Sequence, residues 1–205
     1  SLSISVITED LIADQGARTA QDLYRSISGV SFFSYAGVTA RGFRQEEIFY
    51  DGLRGDPYAG FSVPQLFNME RVEFLKGPTG MLYGPGAPGG LFNYVTKKPE
   101  EDPSARAAVV AGTEGRYGAS LEANGRLPAG GPAARLGVFH EMQGLARFNA
   151  ESESTIYDGG LKVELGLADV TVQATRYEQR IQGARLRGVP TDNLGRFLAD
   201  RRWNH

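Results

Sequence analysis

Hydrophobic and polar residues alternate over long runs in the second half of the chain, residues 100–205. In residues 116–127 the odd positions are apolar or glycine, and the even positions are charged, polar or glycine. A period of two predicts β-strands that have one apolar and one polar face. The same pattern predicts further strands at 104–112, 134–142, 155–167 and 170–180.

The predicted strands are long, and their connections alternate in length. Two of them run to 12 or 13 residues, whereas strands of globular proteins have about 5–6. A tilted membrane strand needs about 9–11 residues, apolar towards lipid and polar inside. The links at 128–132 and 168–169 are short, and those at 146–154 and after 181 are longer, although 112–115 is a short exception.

This alternation favours an outer-membrane barrel with tight periplasmic turns, and a soluble antiparallel sandwich remains the alternative. Five strands cannot close a barrel, since even small barrels use eight. An open arc would leave unpaired strand edges in lipid. If the strands lie in a membrane, we therefore expect most of the barrel to be missing from this chain.

The first half of the chain, residues 1–99, has a mixed pattern. It predicts a strand at 3–7, a short helix at 9–13, and a helix at 20–27 that begins with a capping box of Thr19 and Asp22. Short strands are predicted near 30–35, 38–43, 46–50, 70–76 and 91–97. A polar break at 100–103 then separates an α+β domain, 1–99, from a strand domain, 100–205.

Composition excludes several classes of protein. The formal net charge of -2 excludes a strongly basic nucleic-acid binder. With no cysteine and two histidines, the chain predicts neither disulfides nor a thiolate or histidine metal site. No run approaches the roughly 18 apolar residues of a membrane helix. The 27 glycines among 205 residues indicate many turns and close backbone approaches.

No motif of the sequence predicts an enzyme. The G-x-S-x-G, H-E-x-x-H and Walker patterns are all absent. Residues 84–89 match the spacing of the dinucleotide fingerprint, G-x-G-x-x-G. Pro85 and Pro88 remove two of the N–H donors that a pyrophosphate requires, and a strand-like run follows in place of a helix. We therefore interpret this stretch as a rigid turn.

Two sets of residues are candidates for binding. Arg41, Arg71 and Lys76 lie in apolar strand contexts, where they either form ordinary surface charge or face a partner that carries carboxylates. A second set combines aromatic, cationic and amide side chains in loop-like segments and suits a large, oxygen-rich, partly anionic ligand, or else a loosely packed surface. Its members are Tyr35, Arg44, Gln45, Arg54, Tyr58 and Phe61.

The ordered motifs of residues 1–99 resemble the plug domain of TonB-dependent outer-membrane receptors, most closely those of the ferric-siderophore branch. The motifs include R-G-F at 41–43, D-G at 51–52, E-R-V-E-F-L-K-G-P at 70–78 and V-T-K-K-P at 95–99. Further motif positions lie between residues 82 and 93. The single residues that mark the plug are Gly42, Asp51, Gly52, Gly77, Pro78, Tyr83, Gly84, Gly89, Gly90 and Asn93. Residues 104–180 resemble the first barrel strands.

The resemblance implies an α+β plug, a small mixed sheet with short helices, inside a 22-stranded transmembrane β-barrel of which this chain holds about five antiparallel strands. It implies the outer membrane of a Gram-negative bacterium, and uptake of a ferric siderophore driven by TonB and its inner-membrane energising complex. Outer-membrane lipid is a further partner and nucleic acid is not. Iron enters only as a bound chelate, with no resident cofactor or metal. We expect the TonB box to precede this chain.

The resemblance also implies roles for single residues. The arginine of R-G-F and the basic residue before G-P, here Arg41 and Lys76, pair with glutamates of barrel strands that this chain lacks. Ligand contacts come from the outer loops of the plug, which points to Tyr35, Gln45 and Tyr58. The alternatives are a receptor for a corrinoid, another metal chelate or a glycan, and a soluble β-rich binding module.

Overall fold

The chain divides into two compact units, Ser1–Lys97 and Lys98–His205. The computed structural model describes residues 3–32, 37–45, 48–55, 63–77, 88–145, 148–183 and 190–200. The division lies two residues before the boundary expected from the sequence, so that Lys98 and Pro99 belong to the second unit.

The first unit contains two short helices and two small sheets. The helices are α1 (Glu9–Asp14) and α2 (Ala20–Tyr24). The strands are β1 (Ser3–Thr8), β2 (Val30–Phe32), β3 (Val38–Ala40), β4 (Phe43–Gln45), β5 (Ile48–Tyr50), β6 (Leu53–Arg54), β7 (Met69–Lys76) and β8 (Gly90–Thr96). One sheet has the order β1-β7-β8-β5-β6, and the other has the order β2-β3-β4. Among the described residues, no helix is long and apolar enough to cross a membrane.

The core of the first unit lies along β7 and β8, the inner strands of its larger sheet. Phe74 and Phe92, paired across these strands, stack with their ring centroids 4.6 Å apart. Tyr94 is fully buried, as is Leu23 of α2. This apolar cluster belongs to the first unit alone, which therefore has a hydrophobic core of its own.

Two predicted elements of the first unit differ from the structure at their ends. The predicted strand at 38–43 is interrupted at Arg41–Gly42, where the chain reverses into β4. The helix predicted to reach residue 27 ends at Tyr24. Its predicted cap is confirmed, because the Asp22 carboxylate accepts hydrogen bonds from the backbone N–H and the hydroxyl of Thr19 at 3.0 and 3.1 Å.

Among its described residues, the second unit contains five antiparallel strands in sequence order, which we call the wall. They are β9 (Ser104–Ala111), β10 (Tyr117–Arg126), β11 (Ala133–Gly144), β12 (Glu151–Glu164) and β13 (Asp169–Gln182). The predicted number of strands is confirmed, and the sheet is not closed into a barrel. The longest strands have 14 residues, well above the usual length for a globular protein.

The two faces of the wall have an inverted burial pattern. Leu136 on β11 leaves 69% of its surface exposed, whereas the neighbouring Arg135, on the opposite face, leaves 2%. Further exposed apolar residues are Val109, Leu121, Val138, Tyr157, Leu161 and Val172, and further buried polar ones are Glu141, Ser154 and Asp158. The core of a soluble sandwich would bury the apolar face. The exposure of that face therefore contradicts the sandwich alternative.

Candidate functional site

Two hairpins of the first unit reverse through two-residue turns at predicted motif positions. Arg41 and Gly42 have φ angles of 53° and 85°, and Asp51 and Gly52 have 49° and 80°. Positive φ at both central residues defines a type I′ turn, whose twist matches that of a hairpin. Glycine adopts this geometry freely, but Arg41 and Asp51 do so at an energetic cost. Other contacts must therefore stabilise these turns.

The D-G turn is held against β8 by four hydrogen bonds. The Asp51 carboxylate accepts from the backbone N–H and the hydroxyl of Thr96 at 3.0 and 2.6 Å. The Asp51 N–H donates to the carbonyl of Tyr94, and the Gly52 N–H donates to Asn93 Oδ1, both at 2.9 Å. The predicted motif residues Asp51, Gly52 and Asn93 thus form one cluster.

Arg71 belongs to the same polar network. Asn93 Nδ2 donates to Glu73 Oε2 at 2.9 Å, and Arg71 Nε donates to Glu73 Oε1 at 2.8 Å. A second contact joins Arg71 Nη1 to Glu70 Oε1 at 2.5 Å. The hydrogen bond with Glu73, followed by the one with Glu70, raises the pKa of Arg71. The structure therefore gives Arg71 two acidic partners within its own unit.

Arg41 and Lys76 are brought together near Gly29 and Gly77. Lys76 Nζ donates to Ser28 Oγ at 3.0 Å. A Cβ placed on Gly29 would lie 3.5 Å from Arg41 Cγ, and one on Gly77 would lie 3.9 Å from Arg41 Nη1. Within the described part of the chain, neither cation forms an ion pair with a carboxylate. Two basic groups therefore converge with no carboxylate partner among the described residues.

The candidate ligand residues that the structure describes lie at the ends of the two hairpins. Gln45 pairs with Val38 at the end of the smaller sheet, and residues 46–47 alone separate it from β5. The N–H of Gly55 donates to the carbonyl of Ile48 at 2.7 Å, which places Arg54 beside the start of β5.

The remaining three candidates, Tyr35, Tyr58 and Phe61, lie outside the described residues. Arg44 is exposed, and the Arg54 guanidinium lies 5.7 Å from the centroid of the Phe49 ring. Both polar atoms of the Gln45 amide are buried and have no hydrogen-bond partner among the residues that the structure describes. Such an amide retains a donor and an acceptor for another group.

The motif glycines at the start of β8 permit close packing of the backbone. A side chain on Gly89 would overlap the carbonyl oxygen of Ala40, and one on Gly90 would overlap that of Leu75. Gly77 has a φ of 106°, which also favours glycine. The motif residues Pro78, Tyr83 and Gly84 lie outside the described residues.

The buried face of the wall holds an ion cluster that sequence reasoning missed. Arg135 pairs with Asp158 and, at 3.1 Å, with Glu122, and the hydroxyl of Thr175 donates to Asp158 at 2.6 Å. Gly137 lies between Glu122 and Asp158 in the strand register. The alternating charged residues of these strands indicated a polar face. They did not indicate which residues of neighbouring strands lie opposite each other, and the ion pairs depend on that register.

No metal centre is found in the described ranges: they contain no group of three or more histidine, cysteine, aspartate or glutamate residues able to hold an ion. The arrangement offers cations, amides and buried ion pairs instead. Such groups suit binding and ion pairing.

Comparisons with known proteins agree on a family. Residues 1–91 match the family model described as TonB-dependent Receptor Plug Domain. The ferripyoverdine receptor of Pseudomonas aeruginosa is 29% identical over 173 residues, covering 80% of this chain and 21% of that protein. The catecholate siderophore receptor Fiu of Escherichia coli is 32% identical over 150 residues, covering 68% of this chain and 19% of that protein.

A solved structure extends this similarity to the second unit. The ferripyoverdine receptor of the outer membrane of P. aeruginosa, bound to ferripyoverdine, has a TM-score of 0.82 and 27% identity over 88% of this chain and 26% of its own. The chain thus spans about a fifth of the curated relatives that it matches. On these grounds, this chain belongs to the family of TonB-dependent receptors of the Gram-negative outer membrane.

Proposed function

We propose that this chain is the plug and first barrel strands of a receptor that takes up a ferric siderophore with energy supplied by TonB. Residues 1–99 would occlude the pore, and the wall would be part of the barrel. The similarity to a ferripyoverdine receptor and to a catecholate siderophore receptor supports a ferric chelate as substrate. Iron would then be cargo, and the protein would act as a transporter without enzymatic activity.

The inverted burial of the wall is the observation that carries this proposal. Exposed Leu136, Val138 and Tyr157 suit contact with lipid, whereas buried Arg135 and Asp158 suit the interior of a barrel. A transport protein of the outer membrane requires such a surface, and a soluble binding module would lose solubility because of it.

The unpaired cations support a role at the boundary between plug and barrel. Arg41 and Lys76 converge without an acidic partner among the described residues. Carboxylates on further barrel strands would neutralise them, and such polar contacts can break and form again during transport. Arg71 already has Glu70 and Glu73, so its proposed contact with the barrel would be additional to these pairs.

The hairpin ends support the proposed ligand surface of Tyr35, Arg44, Gln45, Arg54, Tyr58 and Phe61. Guanidinium groups suit the negative charge of a ferric chelate, and the buried amide of Gln45 offers one donor and one acceptor. Aromatic side chains would add a rigid contact area at a small entropic cost.

An uptake experiment tests the proposed function. The complete receptor would be expressed in a Gram-negative host without its own siderophore receptors and supplied with ⁵⁵Fe-labelled pyoverdines and catecholates. We expect accumulation of one ferric class, and we expect it to be lost in a matched strain without TonB. Uptake that persists without TonB would contradict the mechanism. Uptake of only a corrinoid, a glycan or a chelate of another metal would contradict the substrate.

A further inference from the structure

The segment that joins the two units, residues 98–103, lies across the polar face of the wall, and we call it the strap. Lys98 Nζ donates to Gln173 Oε1 on β13 at 2.7 Å. Pro99 lies against Gly160 on β12. The backbone N–H of Glu100 donates to Asn124 Oδ1 on β10 at 2.9 Å. Three consecutive residues therefore contact three different strands.

These contacts follow one row of the sheet. Asn124 pairs with Arg135, Arg135 pairs with Gly160, and Gly160 pairs with Gln173. The strap therefore runs across the strands, along a single cross-strand row, before the chain turns into β9. Successive contacts on different strands hold a segment more firmly than a single contact at one end.

The next residue, Glu101, makes two further contacts with β10, both with Arg126. Its carbonyl accepts the backbone N–H of Arg126 at 3.2 Å, and its carboxylate lies 2.7 Å from Arg126 Nη2. The ion pair is largely exposed and contributes little. The backbone hydrogen bond is the more useful of the two, because it makes the amide of Arg126 a direct reporter of the strap.

Both prolines of the strap lie on glycines of the wall. A Cβ on Gly160 would lie 3.0 Å from Pro99 Cγ, and one on Gly125 would lie 3.2 Å from the Cα of Pro103. Gly160 has an ordinary φ, so its close neighbours, and not backbone geometry, favour glycine there. They are Pro99 of the strap and, at 3.1 Å, the Cγ of Gln173, the residue to which Lys98 donates. The adjacent Gly159 faces the other side, where a Cβ would lie 3.4 Å from Leu136 Cδ2, an ordinary contact.

The two ends of the first unit are held differently. β8, which leads into the strap, pairs with β7 on one side and β5 on the other. β1, at the amino-terminal side of this unit, is an edge strand among the described strands, where it pairs with β7 alone, and its Ile4 and Val6 are exposed. An edge strand separates after losing one ladder of hydrogen bonds, whereas a central strand must lose two.

We propose that the strap is a fixed anchor, which holds the carboxyl end of the plug on the wall while the rest of the plug rearranges. Only the role of the anchor during transport rests on the proposed function. The anchor itself is a property of the contacts made by residues 98–103. Gly160 and Asn124 act as positioning residues for the strap and do not touch the ligand.

Hydrogen exchange in the complete, purified receptor tests the anchor. The amides of Glu100 and Arg126 are expected to be protected in the unmodified protein. Gly160→Val should displace Pro99 and raise exchange at both amides about tenfold or more, and Asn124→Ala should raise it at Glu100 about fivefold, the effect of one net hydrogen bond. Gly159→Val, on the opposite face, is the matched control and should leave both amides unchanged.

Two results would overturn the anchor. One is rapid exchange at Glu100 and Arg126 in the unmodified receptor. The other is exchange that Gly160→Val and Asn124→Ala leave unchanged or that Gly159→Val raises equally. If Gly160→Val does not assemble, Asn124→Ala decides the question, because it removes one acceptor without adding volume.

Cross-linking connects the anchor to transport. The chain has no cysteine, so a short thiol-specific reagent reacts only with cysteines that are introduced. One receptor carries Glu100→Cys and Asn124→Cys, which join the strap to β10. The other carries Val6→Cys and Glu73→Cys, at positions that pair directly between β1 and β7. We expect the first cross-link to leave iron uptake within twofold and the second to abolish it. A block by the first would overturn the anchor. Each receptor is compared with its own uptake before cross-linking, because Glu73→Cys also removes a partner of Arg71 and Asn93. No uptake by the receptor with Glu100→Cys and Asn124→Cys before cross-linking would instead count against the transport function, and the exchange experiment would still test the strap.

Discussion

The carboxylate of Asp51 accepts hydrogen bonds from both the backbone N–H and the hydroxyl of Thr96, at 3.0 and 2.6 Å. The two residues are 45 positions apart, and their contact attaches a strained hairpin turn to the end of β8. The polar network that continues through Asn93 and Glu73 to Arg71 also stays within the first unit. This polar network and the apolar core therefore both lie within the first unit.

We therefore predict that residues 1–99 fold when expressed alone. Their apolar cluster comes entirely from this part of the chain. Far-ultraviolet circular dichroism should report strand with little helix. Limited proteolysis should cleave the loops and spare the segments of β7 and β8. Cleavage throughout these strands at low protease concentration would contradict the prediction.

In that isolated domain, Asp51→Ala should lower the free energy of unfolding by about 2–3 kcal/mol. Thr96 would lose its charged acceptor, and alanine is disfavoured at the φ of 49° found at this position. Asp51→Asn is the matched control, because asparagine tolerates positive φ and keeps one acceptor, and it should cost about 1 kcal/mol. Urea denaturation measures both changes. Equal losses for the two variants would exclude the role of backbone strain.

The buried tyrosines predict a decline in stability at high pH. Burial raises the pKa of Tyr24 and of Tyr50 to about 12, and burial raises that of Tyr94 as well. The folded state thus favours the protonated phenols. Their contribution is complete below pH 10, the unfolded value, and is lost as the pH rises through 12.

The urea midpoint of the isolated domain should therefore fall between pH 10 and pH 12. The free energy of unfolding, obtained from the same urea curves, should fall with it. Tyr50→Phe removes one titrating group and should reduce the fall in this free energy by at most about 2–3 kcal/mol, at 1.36 kcal/mol per pKa unit. Comparing the two proteins at each pH cancels the titration of lysines. An identical fall in both proteins would contradict a raised pKa at Tyr50.

The sequence was most informative where a feature depends on local periodicity. The alternation in residues 116–127 indicated which side chains of β10 share a face, and the capping box located the start of α2. These features depend on neighbours within about four positions. For that reason they could be predicted without knowledge of the register.

The features that could not be predicted include those that depend on pairing between strands. Nothing local indicated that Arg135 would meet both Glu122 and Asp158, because that contact depends on the register of two strand pairs. The turn at Arg41 was also missed, since arginine is uncommon at positive φ and the apolar pattern continues across it. The ligand residues Tyr35 and Tyr58 stay predictions.

The buried cluster of the wall predicts a large effect at Arg135. Replacing Arg135 by methionine keeps most of the volume but leaves the buried carboxylate of Asp158 and the partly buried one of Glu122 without this cation, which should cost about 3–5 kcal/mol. Arg106→Met is the matched control, since Arg106 contacts the same Glu122 from an exposed position and should cost less than 1 kcal/mol. The heat-modifiable mobility of the complete receptor on SDS gels measures both. Similar transition temperatures for the two variants would contradict the prediction.

The exposed apolar face predicts a depth-dependent penalty for charge. Leu136 is 69% exposed, with Ala123 and Gly159 beside it in the register. In water, Leu136→Arg would be nearly neutral, but against the middle of a bilayer it should cost about 2–4 kcal/mol and lower the amount of assembled receptor in the outer membrane. Leu167→Arg, in the fully exposed turn between β12 and β13, should cost little and serves as the control. Equal assembly of the two variants, measured by protease protection in outer-membrane fractions, would show that this face does not meet lipid and would remove the main support for a membrane wall.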